Sequence, residues 1–130
     1  MGDPKGSRPY MPGYGPLDAA QGTGLLPWSW AVERLERSHD YWVATIRPDG
    51  RPHVMPVWGI WLEDAGVRLT DLSTVTRFVA AINQKYTTDY SVDFFNPDRN
   101  ACFRVRPTWA FGLTESDFTG SPTRWLFQPR

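Results

Sequence analysis

The chain is poor in the residues that usually carry chemistry. It has one cysteine and two histidines in 130 residues. A single Cys excludes an internal disulfide, and Cys and His together close no zinc site unless carboxylates fill in; no ligand spacing points to one. Charge of one sign is also lacking, with 14 Lys and Arg against 14 Asp and Glu. No long-range field therefore favours nucleic acid or an anionic membrane. No apolar run reaches membrane-spanning length, and the first residues lack the apolar core of a secretory signal. The expectation is a cytoplasmic protein whose thiol is reduced. Also missing are the Gly-x-Ser-x-Gly elbow, the glycine-rich phosphate loop and the His-Glu-x-x-His helix.

Aromatic side chains are plentiful instead: 7 Trp, 5 Tyr and 7 Phe. Each buries a large area, so few positions make a core, and each also makes a wall for a flat ligand. The length predicts one domain, and a thin one. Residues 1–24 are rich in Gly and Pro without periodicity and read as a flexible arm. Residues 26–38 read as a helix, with Pro27 at the first helical position and Trp28, Val32 and Leu35 on one face. Residues 71–86 predict a second helix with the apolar stripe Val75, Phe78, Val79, Ile82 and Tyr86. Asp71 or Ser73 is expected to accept from the free N–H groups at its start. Residues 87–100 read as a loop with an Asn96-Pro97-Asp98 turn, docked through Tyr90, Phe94 and Phe95. A turn at 63–66 and a short strand at 67–70 precede the second helix, and strands at 101–106, 109–114 and 123–127 follow the loop.

The most informative stretch is 41–62, YWVATIRPDGRPHVMPVWGIWL, which reads as a β-hairpin. Pro48 presets φ, Asp49 bonds its own backbone and Gly50 accepts a positive φ, so the three favour chain reversal. In the first strand Trp42, Ala44 and Ile46 share one face and Tyr41, Val43 and Thr45 the other. Both faces are largely apolar, the pattern of a strand covered on both sides. The second strand, from about His53 to Leu62, carries Pro56 in mid-run. Proline cannot donate to a ladder, so this strand is an edge, a bulge or a place where something else approaches the backbone. With Trp58 and Trp61 beside it, the strand offers packing for a flat ligand. The element order is that of an α+β domain with an antiparallel sheet.

Single residues admit two readings each. His53 is a ligand contact or general base, or a polar residue on an edge strand. His39 sits in a helix-to-strand turn as a surface or capping group. Cys102, between Ala101 and Phe103, reads as a small core residue. Arg104 and Arg106, two apart on one strand face, either hold a phosphate or carboxylate or pair with Asp93, Asp98 or Glu115. Arg124, beside Trp125, admits the same two readings.

The segments LPWSWAVERLERS, YWVATIRPDGRPHVMPVWGIW and FRVRPTWAFGLTESDFTGSPTRWLF resemble the pyridoxamine 5'-phosphate oxidase-like proteins. These are split β-barrels that bind FMN or the deazaflavin coenzyme F420. The hairpin pattern T-x-R-P-D-G-R-P-H-x-x-P-V-W carries most of the likeness, which extends over nearly everything after the arm. The resemblance implies an α+β split β-barrel of antiparallel strands with two helices over residues 25–130. It implies a homodimer with the cofactor in the groove between subunits, and a flavin- or F420-dependent oxidoreductase transferring hydride on a small molecule. Neither nucleic acid nor a membrane is an expected partner. By position, His53, Met55, Pro56, Val57 and Trp58 would bind the cofactor. No catalytic residue and no metal ligand is assigned, because the cofactor carries the hydride and the protein positions it.

One part of the family pattern is missing. Members follow the Trp-rich strand with another strand and a Ser-Arg-Lys-x-x-Asn-Leu segment that supplies the cofactor-phosphate contacts. Here the chain passes from Trp61-Leu62-Glu63-Asp64-Ala65-Gly66 straight to Val67-Arg68-Leu69-Thr70-Asp71. The resemblance thus implies a truncated barrel with its junction near residues 65–68. Arg68, Arg77 and Lys85 are nearby cations outside the motif's context. Removing central strands leaves unpaired edges and exposed apolar surface. The alternative expectation is accordingly a non-catalytic remnant or interaction module that has lost the phosphate cradle.

Overall fold

The computed structural model describes residues 2–62, 71–100 and 102–128. The turn expected at 63–66, the strand expected at 67–70 and the junction near 65–68 lie outside the described residues. The described residues form a small α+β fold with two helices and two antiparallel sheets, neither of them closed. They divide into two units, one from 1–34 with 105–130 and the other from 35–104.

The first unit is built on a three-stranded sheet. Its middle strand β5 (Thr123–Leu126) lies between β1 (Lys5–Ser7) and β4 (Trp109–Gly112), antiparallel to both. Alternation along β5 sends Thr123 and Trp125 to one face and Arg124 and Leu126 to the other. The inner face is the core: Trp125 is 1% exposed, and Thr123 is fully buried. Trp28 of helix α1 (Trp28–Arg37) meets the Trp125 ring edge-on at 5.4 Å, and Phe127 meets Trp28 at 5.1 Å. Trp30 stacks on Trp125 at 6.4 Å, and the Arg34 guanidinium lies 3.6 Å from the Trp30 centroid. The indoles need the space that Gly112 leaves, since a Cβ there would sit 2.7 Å from the Trp30 ring. The Leu26 amide donates to Thr123 Oγ1 (2.8 Å), which fixes the chain entering α1.

Composition reads residues 1–24 as an arm without regular structure, and here the structure differs. Lys5–Ser7 is a strand, with Lys5 opposite Leu126, Gly6 opposite Trp125 and Ser7 opposite Arg124. The Arg8 guanidinium donates to the carbonyls of Gly120 (3.0 Å), Pro122 (2.7 Å) and Asp18 (2.9 Å). The Asp117 carboxylate accepts from the amides of Thr23 (2.7 Å) and Gly120 (3.0 Å). Gly22, at φ +66°, passes so close that a Cβ would lie 2.5 Å from the Gly120 Cα. A three-residue strand leaves no period to read, and these bonds run to backbone groups that sequence does not mark.

The second unit holds the hairpin and the second helix. Strands β2 (Tyr41–Ile46) and β3 (Pro52–Val57) pair over six residues, from Tyr41 opposite Val57 to Ile46 opposite Pro52. The turn follows its residue chemistry. The Gly50 amide donates to the Arg47 carbonyl (2.8 Å), Gly50 takes φ +83°, and the Arg47 amide donates to the Arg51 carbonyl (2.9 Å). That last bond sets the alternation of the ladder, so Pro52 and Pro56 both fall at non-hydrogen-bonded positions. Neither proline costs a ladder bond; both instead remove a donor from the outer edge of β3. The outer edge of β2 keeps its donors. The second strand ends at Val57 rather than near Leu62.

The expectation that the first strand is covered on both sides is not met. Trp42 is 72% exposed and Ile46 78% on one face, and Val43 and Met55 are exposed on the other. Alternation says which side chains share a face, not whether a partner covers it. Among the described residues no third strand joins this sheet.

Helix α2 (Leu72–Tyr86) matches its periodicity, burying Thr74, Val79 and Ile82. Its start corrects the capping expectation: Asp71 makes no side-chain bond to the backbone, and its carboxylate accepts from the hydroxyls of Ser73 (2.5 Å) and Thr74 (3.1 Å). At its end Thr87 takes the left-handed conformation (φ 55°), and Asn83 ties down the next turn through Thr88 and Tyr90. Phe95 packs edge-on against Phe78 (5.2 Å), and Tyr90 stacks on Phe94 (4.2 Å), so the loop docks through the aromatics expected for it. The stretch 102–106 forms no strand. The sequence alternates there, but among the described residues no strand pairs with it, and Pro107 follows.

Candidate functional site

The five residues expected along a cofactor ring separate in the structure. His53, Met55 and Val57 lie on one face of the hairpin, opposite Thr45, Val43 and Tyr41. Pro56 lies on the other face, opposite Trp42. His53 Nδ1 accepts from the Arg47 guanidinium (3.3 Å). Trp58 follows the strand and leaves its ladder.

Trp58 stacks nearly parallel on Tyr86, with centroids 4.2 Å apart and planes 5° apart. The His39 ring stands edge-on to both, 6.0 Å from Trp58 and 5.0 Å from Tyr86. The backbone fixes this stack. The Gly59 amide donates to the Tyr86 hydroxyl (2.9 Å), which in turn lies 2.7 Å from the His39 carbonyl and 3.1 Å from that of Gly59. A buried or half-buried tyrosine seeks partners for its polar tip, and here that tip locks the Trp58-Gly59 corner to the end of α2.

A cation completes the cluster. Lys85 Nζ donates to the Tyr41 hydroxyl (2.8 Å) and the Gly59 carbonyl (3.0 Å), and lies 4.7 Å from the Tyr41 ring centroid. The Tyr41 hydroxyl donates to the Leu35 carbonyl. Burial first, and the negative charge of Glu36 second, push the Tyr41 phenol above its ordinary value, so it stays a neutral donor. Gly59 packs closely here: a Cβ would sit 3.0 Å from the Tyr41 ring, which would have to give by a few tenths of an ångström.

Chemically this is a platform. One indole face is occupied by Tyr86, yet Trp58 remains 47% exposed, which suits a second planar ring. The sequence reading found Trp58 but not His39, Tyr41, Gly59, Lys85 or Tyr86 as its supports. The one local signal was the lone glycine between Trp58 and Trp61, a mark of close approach. Among the described residues no group of three or more His, Cys, Asp or Glu is placed to hold a metal ion.

Arg104 and Arg106 share no strand face, because 102–106 forms no strand. Cys102 is half-buried beside Val75, Phe78, Phe95 and Pro97, and burial pushes its thiol up, away from the reactive thiolate. No helix among the described residues is long and apolar enough to cross a membrane. In comparisons with protein-family models, curated proteins and solved structures, nothing matches this chain.

Proposed function

We propose that the chain is an FMN- or F420-binding oxidoreductase of the pyridoxamine 5'-phosphate oxidase type, acting on a small molecule as a cytoplasmic homodimer. The observation that carries this reading is the Trp58 indole, held parallel to Tyr86 and still half-exposed at the end of the hairpin. Bound there, the cofactor would supply the hydride chemistry. The chain's own part is to orient a ring against Trp58, with Lys85 and the Gly59 corner holding the platform rigid.

Trp58 supports the ring half of such a ligand, whereas the described cations of the hairpin and the platform do not support the phosphate half. Arg51 is committed to Asp49 (2.6 Å), Arg47 contacts His53, and Lys85 is spent on Tyr41 and Gly59. Each missing charge-assisted hydrogen bond forgoes about 1.5–3 kcal/mol, so two of them turn a micromolar site into a millimolar one. Binding is therefore weak and dominated by stacking.

A second reading has its own support. Both faces of the hairpin are exposed, and the edge of β2 keeps the donors that the prolines remove from β3. That is the surface of an interaction module whose partner adds a strand. Titration of the purified chain with FMN and with F420 separates the two. The oxidoreductase reading expects saturable binding by the millimolar range, weakened at least tenfold in Trp58→Ala with cooperative unfolding retained. Absence of binding up to millimolar cofactor overturns it and leaves the interaction module; an unchanged affinity in Trp58→Ala removes Trp58 from the site.

A further inference from the structure

The outer face of the β1–β5–β4 sheet carries two buried polar side-chain atoms without a hydrogen-bond partner among the described residues. Ser7 and Arg124 are cross-strand neighbours, and Phe111 is opposite Arg124 on the other side. One step along the strands, Lys5 and Trp109 flank Leu126. These six side chains form one patch, because residues directly opposite in antiparallel strands share a face. Ser7 Oγ and Arg124 Nε are both shut off from solvent without a hydrogen-bond partner among the described residues. The rings beside them are open, with Trp109 60% exposed and Phe111 44%. The patch holds two cations and no acid.

A guanidinium is the side chain best shaped to take two oxygens of a carboxylate or phosphate, and its always-present charge makes an unpaired one informative. Orphaned buried donors in a folded protein call for a missing partner. Ser7 Oγ supplies a further donor at the next strand, and the exposed indole and phenyl rings supply apolar walls for a planar group. We propose that this sheet face binds an aromatic anion, a ring bearing a phosphate or carboxylate, with Arg124 and Ser7 taking the anionic group and Trp109 and Phe111 the ring. The site is independent of the Trp58 platform.

Phenyl phosphate, inorganic phosphate and phenol separate the contributions. Titrated into isotope-labelled full-length chain and followed by NMR, phenyl phosphate should move the Ser7 and Arg124 amides and the Trp109 indole saturably, at least tenfold more tightly than either fragment. Arg124→Gln should abolish that saturation while the Trp125 indole keeps its position, which reports an intact fold. Trp109→Ala should weaken phenyl phosphate and leave inorganic phosphate unchanged. If Arg124→Gln does not fold, Ser7→Ala replaces it and should weaken phenyl phosphate severalfold. Phenyl phosphate and inorganic phosphate binding equally, saturable shifts that persist in the Arg124 variant, an unchanged affinity in the Ser7 variant, or no saturable shift with any probe would each overturn the proposal. Riboflavin carries the ring of FMN without phosphate and should leave Ser7 and Arg124 unmoved, so failure here is distinct from failure at Trp58.

Discussion

Trp125 and Trp42 are the same residue type in strands of similar length, and they have opposite fates. Trp125 sits under α1, with Trp28 and Trp30 against it, and is 1% exposed. Trp42 sits on a two-stranded ribbon and is 72% exposed, with no third strand beside it among the described residues. The difference is not composition or strand propensity but cover. A sheet face becomes a core only where a helix or a third strand lies on it, and an isolated two-stranded ribbon is marginal in water. Under α1 the inner-face indole Trp125 serves stability, while the hairpin leaves its aromatics available for a ligand or a partner.

The largest effect that tests this contrast is truncation of each indole. Trp125→Ala should cost about 3–5 kcal/mol, as removal of a buried aromatic does, whereas Trp42→Ala should fall within about 0.5 kcal/mol, as exposed substitutions do. Urea unfolding of both variants measures this. Equal losses would show that the hairpin face is covered in solution and would break the comparison.

A smaller effect lies at the end of α2. Thr87 is a β-branched residue at φ 55°, a conformation that glycine adopts without strain. Thr87→Gly should raise stability by about 1 kcal/mol, offset in part by glycine's greater chain entropy. A loss of stability would mean that the Asn83 network depends on the Thr87 side chain.

The smallest effect is electrostatic and differs between the two units in consequence. The amides of Thr23 and Gly120 hold the Asp117 carboxyl below the usual range, and Arg51 does the same for Asp49 in the hairpin turn. A carboxyl lowered in the folded state contributes stability above its unfolded pKa, near 3.9, and loses it as pH falls through the folded value. Both groups should therefore show midpoints below that of an ordinary aspartate by carboxyl NMR. Acid should loosen the Thr23–Gly120 clasp through Asp117, and Asp117→Asn should remove that step. An ordinary carboxyl midpoint at Asp117 would contradict the clasp.

The helices and the hairpin turn were legible because their signals are local. Val79 and Ile82 recur at helical spacing, and Pro48-Asp49-Gly50 fixes its own reversal. The role of Pro56 became clear only with the register, which places both prolines where no ladder bond is lost. What the sequence could not convey was pairing. Residues 5–7 pair with β5, and residues 102–106 pair with no strand among the described residues, although only the latter alternate. At the candidate site, the sequence singled out Trp58 and the hairpin. Tyr86 and Lys85 were not singled out, because they arrive from the end of a helix on which Tyr86 reads as one more apolar position.

The central claim is that the exposed hairpin end receives a flat, uncharged ring through Trp58. Riboflavin titrated into chain carrying isotope-labelled tryptophan tests it most directly, since that ring lacks a phosphate to recruit Arg124. The account predicts a saturable shift of the Trp58 indole and of the amides of His53, Met55 and Val57, with the Trp125 indole unmoved. No shift at Trp58 up to the solubility of the ligand, or a shift confined to the sheet around Trp125, would contradict it.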